Sequence, residues 1–143
     1  MTRWSIVPLY LAAFLSWGGT LPQHCPMGDA QALGVHTILS APCYLLAFVI
    51  LVRARLDTEG LALALPVLGF MVWQAYWGVQ LFKITNIAGL SPCDFILRDP
   101  PHGFADDWFL DYAYAPYYVS VSLVSLATIA YAHWRYRRAR LTS

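Results

Sequence analysis

The chain has 143 residues, of which 59% are hydrophobic and only 12% are charged, and its mean hydropathy is +0.52. A soluble domain carries about one quarter charged residues, so this composition excludes both a water-soluble fold and a disordered chain. The net charge of +1 offers no concentrated basic face, which excludes a nucleic-acid partner, and the length allows a single domain.

Four stretches without a charged residue separate the clusters of charge, and each is long enough for one membrane crossing. The gap that follows Arg3 holds 25 residues, and the gaps that follow Asp29, Glu59 and Asp111 hold 23 each. About 20 apolar residues cross the hydrocarbon core as a helix, and these runs lack the alternation of barrel strands. We therefore predict an all-α, single-domain polytopic membrane protein with transmembrane helices over 4–21, 33–52, 61–82 and 112–134.

The first predicted crossing, 4–21, is similar to a signal peptide in its basic start and its apolar stretch. No small-x-small cleavage site follows, and the residues before Cys25 do not form a lipoprotein acylation signal. We therefore expect this helix to be retained, in a bacterial inner membrane or, alternatively, in the endoplasmic reticulum. Lys83 is the single lysine beside eight arginines, which is typical of a GC-rich genome and favours the bacterial membrane.

Positive charge is concentrated on one side of the predicted bundle. Seven arginines fall on the side of the two termini and of the loop 53–60, whereas Lys83 and Arg98 fall on the other side. Because positively charged loops stay in the cytoplasm, we expect both termini to be cytoplasmic. The opposite side then carries a long external loop, 83–111, whose apolar content predicts a lid packed on the bundle or on a partner.

Two of the three cysteines, Cys25 and Cys93, fall in the predicted external loops, and Cys43 falls inside the second crossing. In an oxidising compartment we expect a disulfide between Cys25 and Cys93 that ties the two loops together. Thiol oxidoreductases use a reactive pair, commonly Cys-x-x-Cys, and a second pair that passes electrons on. This chain has no such motif and no fourth cysteine, which argues against redox catalysis.

A metal site is the alternative interpretation of the same outer face. Thiolate, imidazole and thioether ligands together suit Cu(I) or Zn. The candidate ligands on this face are His24, Cys25, Met27, His36, Cys93 and His102. None of their spacings is a known ligand motif, and a disulfide would use both sulfurs. Solvated loop histidines and a disulfide are the competing interpretation.

His36 also suggests a bound macrocycle. Ala32 lies four residues before it, and a small residue at this spacing is similar to the pattern of membrane helices that ligate haem or chlorophyll. A bis-histidine haem needs a second histidine at matching depth, and no other predicted crossing has one in its interior. One axial histidine for a pigment stays open, and the sequence leaves the cofactor unknown.

The predicted crossings contain no ionisable side chain apart from histidines near their ends. This absence argues against proton-coupled transport and carboxylate catalysis, and so against an enzyme. Each crossing holds one proline, which permits a kink. The aromatic and polar side chains of the last two crossings either pack the bundle or line a pocket for an apolar ligand, with an amide as polar anchor. The pocket candidates are Trp73, Gln74, Trp77, Tyr114, Pro116 and Tyr117.

The fourth crossing begins with the run Asp-Tyr-Ala-Tyr-Ala-Pro-Tyr-Tyr over residues 111–118. This run resembles the last helix of the EXPERA family, in which sigma-2-receptor-like and emopamil-binding-like proteins have a similar Tyr-Ala-Pro-Tyr step. The family comprises four-helix membrane proteins of the endoplasmic reticulum, among them sterol isomerases and binders of sterols or drugs. The resemblance covers about the C-terminal half and implies that Tyr114, Pro116 and Tyr117 line a cavity. Without membrane-buried carboxylates, it does not imply isomerase activity.

Three functions follow from these features. The small size, the lack of buried charge and the apolar external loop favour a non-catalytic accessory or interaction subunit of a membrane assembly. The first alternative is a binder of a lipid, a sterol-like molecule or a pigment within the bundle. The second alternative is the outer-face metal or thiol site. The expected partners are accordingly the lipid bilayer and either other membrane subunits or an apolar small molecule.

Overall fold

The computed structural model describes residues 3–18, 30–89 and 112–141, and within these ranges every regular element is helical. This confirms the predicted all-α class. A 3₁₀ turn over Arg3–Ile6 leads into helix α1. The helices are α1 (Val7–Gly18), α2 (Ala30–Arg53), α3 (Thr58–Phe82, continued by a π-helical turn over Lys83–Ile87) and α4 (Tyr114–Leu141).

Three helical segments are long and apolar enough to cross a membrane: Gly34–Arg53, Thr58–Ile87 and Tyr114–Leu141. The 28 residues of α4 extend about 42 Å at 1.5 Å per residue, which exceeds the ~30 Å hydrocarbon core. The apolar helix Trp4–Gly18 is shorter than these three. The last residues of the predicted first crossing, 19–21, lie outside the described residues. The chain is thus an integral membrane protein with three candidate spans.

The helices extend beyond the predicted crossings because charge ends an apolar run but does not end a helix. The predicted fourth crossing stops at 134, whereas α4 continues to Leu141 through four arginines. The third crossing is predicted from 61, whereas α3 begins at Thr58 because the Asp57 carboxylate accepts a hydrogen bond from Gly60 N at 2.7 Å. At the other end the helix continues to Ile87, into the predicted loop 83–111.

The bundle consists of two helix pairs, α1 with α2 and α3 with α4, which meet along α2–α4 and α1–α3 contacts. Small residues permit close approach within a pair, as is typical of membrane helices. At buried Gly78 of α3, a Cβ atom would lie 2.7 Å from Cγ2 of Val119 in α4. The seam between α2 and α4 is less closely packed than either pair. The largest fully buried side chains are Leu9, Leu51, Leu56, Val67, Met71 and Ile129.

The four prolines of the predicted crossings occupy two kinds of position. Pro8 and Pro116 lie in the first turns of α1 and α4, where a backbone N–H has no helical acceptor. Pro42 and Pro66 lie inside α2 and α3. One turn before Pro66, the Leu63 carbonyl accepts a hydrogen bond of 2.6 Å from the Tyr10 hydroxyl of α1. This bond joins α1 to α3 next to Pro66.

Candidate functional site

A hydrogen-bond network joins all four helices at the centre of the bundle. The Tyr44 hydroxyl of α2 lies 2.8 Å from Oγ of Ser16 in α1. Nε2 of Gln74 in α3 donates to the Tyr44 hydroxyl at 3.5 Å and to Oγ of Ser122 in α4 at 3.0 Å. All four side chains are buried. Because hydrocarbon offers no other partners, this central network holds the four helices at one fixed level relative to each other.

Two further hydrogen bonds join α2 to α4 nearer the N-terminal end of α2. The hydroxyls of Thr37 and Tyr118 lie 3.1 Å apart. Ser40 Oγ donates to the Thr37 carbonyl and lies 3.0 Å from the Tyr117 hydroxyl. Since the one hydrogen of the Ser40 hydroxyl goes to that carbonyl, Tyr117 is the donor to Ser40. Tyr117 is therefore held in place at the α2–α4 seam.

Below this contact the α2–α4 seam opens into a crevice of about 210 Å³. Its walls are mostly apolar and include the exposed side chains of Leu45, Phe48 and Val124. Tyr117 lines it as well, and so does Ser120. Within the described residues the Ser120 hydroxyl makes no hydrogen bond, in contrast to Ser125 and Thr128, which donate to carbonyls of their own helix. The crevice thus combines apolar walls with one available hydroxyl.

The structure does not gather the six predicted pocket residues into one site. Gln74 is buried in the central network, and Tyr114 is buried with its ring centroid 4.7 Å from that of Tyr118. Trp73 and Trp77 lie on the outside of α3, 46% and 43% exposed. Pro116 is half-buried in the first turn of α4, and only Tyr117 of the six lines the crevice. Neither tryptophan lines the crevice, and the tryptophan-walled pocket stays a prediction.

Most of the predicted outer-face site lies outside the described residues, namely His24, Cys25, Met27, Cys93 and His102. The disulfide and the metal site stay predictions for this reason. His36 is described: its imidazole lies against Gly18 of α1, where an added Cβ would be 2.8 Å from Cε1. Within residues 3–18, 30–89 and 112–141, no group of three or more His, Cys, Asp or Glu residues is placed to hold a metal. Cys43 is a partly buried free thiol.

Sequence reasoning missed two members of the central network: Tyr44, which accepts from Gln74, and Ser16, which bonds Tyr44. A signal for them was present, because Thr37, Ser40 and Tyr44 follow each other at spacings of three and four within an apolar run. This spacing places three hydroxyls on one face of α2. A polar face inside a membrane helix indicates contact with other helices rather than with lipid. The spacing does not indicate which helices contact this face.

The described site contains hydroxyls, one carboxamide and one thioether, and Met71 Sδ lies 4.0 Å from the Tyr44 hydroxyl. These groups bind and orient, but none of them is a strong acid or base at neutral pH. Comparison of the chain with known protein families, with curated proteins and with solved structures finds no match. The resemblance to the EXPERA family therefore stays a prediction, and the geometry of the crevice and network is the basis for the functional proposal.

Proposed function

We propose that this membrane protein binds a small apolar molecule that carries one polar group, in the crevice between α2 and α4. The observation that carries the proposal is the Ser120 hydroxyl, which has no hydrogen bond among the described residues, in a mostly apolar cleft that opens toward the surface of the bundle. Ligand sites of proteins have this composition, with mostly apolar walls and a few polar groups that set orientation. In hydrocarbon a free hydroxyl gains most from a ligand that supplies a hydrogen-bond partner.

The size of the crevice restricts the ligand. At about 210 Å³ it is smaller than the ~300–1,000 Å³ of sites that enclose drug-sized molecules. We therefore expect a slender molecule, such as an isoprenoid alcohol, whose hydroxyl reaches Ser120 while part of its chain stays in the lipid. The crevice supports ligand binding more specifically than any feature of the chain supports a role as an accessory subunit. Ligand binding is therefore the first function that we propose.

The proposal is tested by titrating the purified full chain with farnesol and following the bound mass by native mass spectrometry. Val124→Trp fills the crevice and should lower affinity about tenfold, since it displaces roughly 60 Å² of apolar contact. Leu123→Trp is the matched control, because Leu123 is also exposed on α4 and does not line the crevice. Equal affinities of the two variants would contradict the proposal.

A second variant tests the polar end of the site. Ser120→Ala removes only the hydroxyl, which contributes about 1 kcal/mol as a hydrogen-bond partner. Farnesol should bind the variant about fivefold more weakly. The hydrocarbon farnesene should bind both proteins equally, because it has no group for Ser120. A loss for both ligands would assign the effect to packing and contradict the assigned hydroxyl contact.

The second candidate function is an accessory subunit that docks through an aromatic face on α3. This face comprises Phe70, Trp73, Tyr76 and Trp77, and Tyr76 is 59% exposed. Trp73 lies ten residues, about 15 Å, along the helix from Lys83. Aromatic residues that contact lipid headgroups lie nearer the membrane surface than this. Their N–H and O–H groups seek partners, which favours a protein helix over lipid as the cover of this face.

Site-directed photocrosslinking in intact cells tests the docking face. A benzophenone side chain at Tyr76 should give one product of discrete protein mass, whereas the same group at Leu65 should give none. Leu65 is the control because it is exposed on α3 eleven residues, about 16 Å, along the helix from Tyr76. The double variant Trp73→Leu/Trp77→Leu should abolish the product. Lipid adducts alone at Tyr76 would contradict a protein partner.

The topology of the chain is part of the proposal. We infer four crossings of a bacterial inner membrane, with both termini and the 53–60 loop in the cytoplasm and a Cys25–Cys93 disulfide outside. The asymmetry of seven positive residues against two supports this orientation. Labelling of reduced, intact cells with a membrane-impermeant maleimide should modify Cys25 and Cys93 and leave Cys43 unmodified. Modification of only one of the two loop cysteines would contradict the inferred topology.

A further inference from the structure

The loop between α2 and α3 is fixed beneath the end of α4. Leu56 N donates to the Ala132 carbonyl at 3.2 Å, and Nδ1 of His133 donates to the Leu56 carbonyl at 3.1 Å. The Leu56 side chain is fully buried. These contacts hold Arg55 of the loop near Arg135 and Arg138 of α4. We call this region the arginine end, comprising Arg53, Arg55, Arg135, Arg137, Arg138 and Arg140.

A cavity of about 410 Å³ at the arginine end is bordered by Arg55, Arg135 and Arg138, together with Tyr131 and Trp134. Nη1 of Arg135 donates to the Val52 carbonyl at 2.7 Å, and its guanidinium carbon lies 5.9 Å from the Tyr131 ring centroid. The guanidinium of Arg138 lies 5.4 Å from the Trp134 ring centroid. Side chains held in this way lose less entropy when they bind an anion.

The cavity lies at the level of lipid headgroups. About 20 residues of helix cross the hydrocarbon core, so a crossing that begins at Tyr114 ends near Trp134. Trp134 is exposed, as is typical of tryptophans at the membrane–water interface. The three guanidiniums around the cavity are therefore placed at the depth of phosphate groups.

An apolar groove lies on the other side of Trp134, between α3 and α4. Its lining includes Leu61, Leu68, Leu126 and Ala130, and Trp134 borders both this groove and the arginine cavity. From Trp134 the groove follows α4 to Leu126, eight residues or about 12 Å toward the membrane centre. A positively charged cavity thus lies beside an apolar groove of the length of a partial acyl chain, with Trp134 between them.

We propose that the arginine end binds one anionic phospholipid, with the phosphate between Arg55, Arg135 and Arg138 and one acyl chain in the groove bordered by Trp134. A free phosphate ion would satisfy the cavity but would leave the groove without a ligand. The adjacency of the two features is the reason for choosing a lipid. This site is separate from the α2–α4 crevice, and it stands whether or not the crevice binds a ligand.

The charged part of the site is tested with the full chain in detergent and dioleoyl phosphatidylglycerol, bound lipid being counted by native mass spectrometry. Dioleoyl phosphatidylcholine, with the same acyl chains, should bind much more weakly. Arg55→Gln/Arg138→Gln should lower the phosphatidylglycerol affinity about 25-fold, since each arginine that donates a hydrogen bond to the phosphate contributes about fivefold. Circular dichroism and size-exclusion profiles show whether each variant folds.

Arg53→Gln/Arg140→Gln is the matched control. It removes the same charge from the same two segments, and neither residue borders the cavity. Its phosphatidylglycerol affinity should stay within twofold of the unmodified protein. Equal losses in the two double variants would show a diffuse attraction of charge and would overturn the proposal, as would equal binding of the two lipids.

The acyl part of the site has its own test. Ala130→Trp places a large side chain in the groove, whereas Ala127→Trp places it on the exposed surface of α4 away from the groove. Phosphatidylglycerol should bind the first variant several-fold more weakly and the second unchanged. Glycerol 3-phosphate, a soluble analogue of the headgroup, should displace little phosphatidylglycerol from the unmodified protein. Strong competition by glycerol 3-phosphate, or an unaltered affinity of the first variant, would indicate an anion site only and would overturn the lipid assignment.

Discussion

Polar groups are arranged in opposite ways at the centre of the bundle and at its arginine end. In the central network, side chains from four helices bond one another and all are buried. At the arginine end, side chains bond backbone carbonyls and stack on aromatic rings, next to open cavities. Groups that satisfy one another within hydrocarbon stabilise the fold, whereas partly satisfied cations at the membrane surface can still bind a ligand.

This contrast predicts that substitutions at the centre lower the free energy of unfolding more than substitutions at the arginine end. A lost partner at the centre leaves its neighbours unbonded, since no water reaches them. A lost partner at the arginine end is replaced by water. The stability of each variant is measured as its free energy of unfolding in mixed micelles. The protein is titrated with sodium dodecyl sulfate, and the loss of helix is followed by circular dichroism.

The largest effect is expected from Gly78→Leu, one turn from the central network. A side chain there meets Val119 and forces α3 away from α4, which should lower the unfolding free energy by about 3 kcal/mol. Gly69→Leu is the control on the same helix, because an added Cβ has no atom within 4 Å. It should cause no loss. Similar losses in both variants would refute the importance of the α3–α4 contact.

Gln74→Leu should rank second. It keeps the size of the side chain but removes the donor to Tyr44 and Ser122, which should lower the unfolding free energy by about 1–2 kcal/mol. Gln80→Leu makes the same chemical change on α3 outside the central network and should change stability little. If Gln80→Leu is as harmful as Gln74→Leu, the network does not hold the bundle together.

Asp57→Ala should follow, with a loss of about 1 kcal/mol, because it leaves Gly60 N without its capping oxygen. Asp57→Asn keeps an acceptor at the same position and should retain most of the stability. Equal losses would mean that the charge of Asp57, rather than its hydrogen bond, supports the start of α3.

Arg135→Met should have the smallest effect, about 0.5 kcal/mol, although it removes a hydrogen bond of 2.7 Å to Val52. The bond is partly exposed, and water can take its place. Arg53→Met serves as the exposed control. A loss as large as that of Gln74→Leu would show that the arginine end is as rigid as the centre and would remove the contrast between the two regions.

The helices could be predicted from the sequence, but which helices contact one another could not. Charge-free runs place helices close to where α2, α3 and α4 lie, because twenty apolar residues in lipid have few alternatives to a helix. Gln74 was predictable as a polar group of interest, yet its assigned neighbours Trp73 and Trp77 lie on the outside of α3. Trp73 is adjacent to Gln74 in sequence and points about 100° away from it on the helix, so these two side chains do not share a face.

The sequence by itself determined the all-α membrane class, the approximate positions of the three long apolar helices and the end that carries the arginines. Those properties follow from local composition, since each segment meets lipid or headgroups on its own. The tertiary structure alone decided that Ser16, Tyr44, Gln74 and Ser122 meet, that the α2–α4 seam is open, and that Arg55 joins Arg135 and Arg138. Each of these depends on which helix faces are opposed, and side-chain packing across the bundle sets that choice.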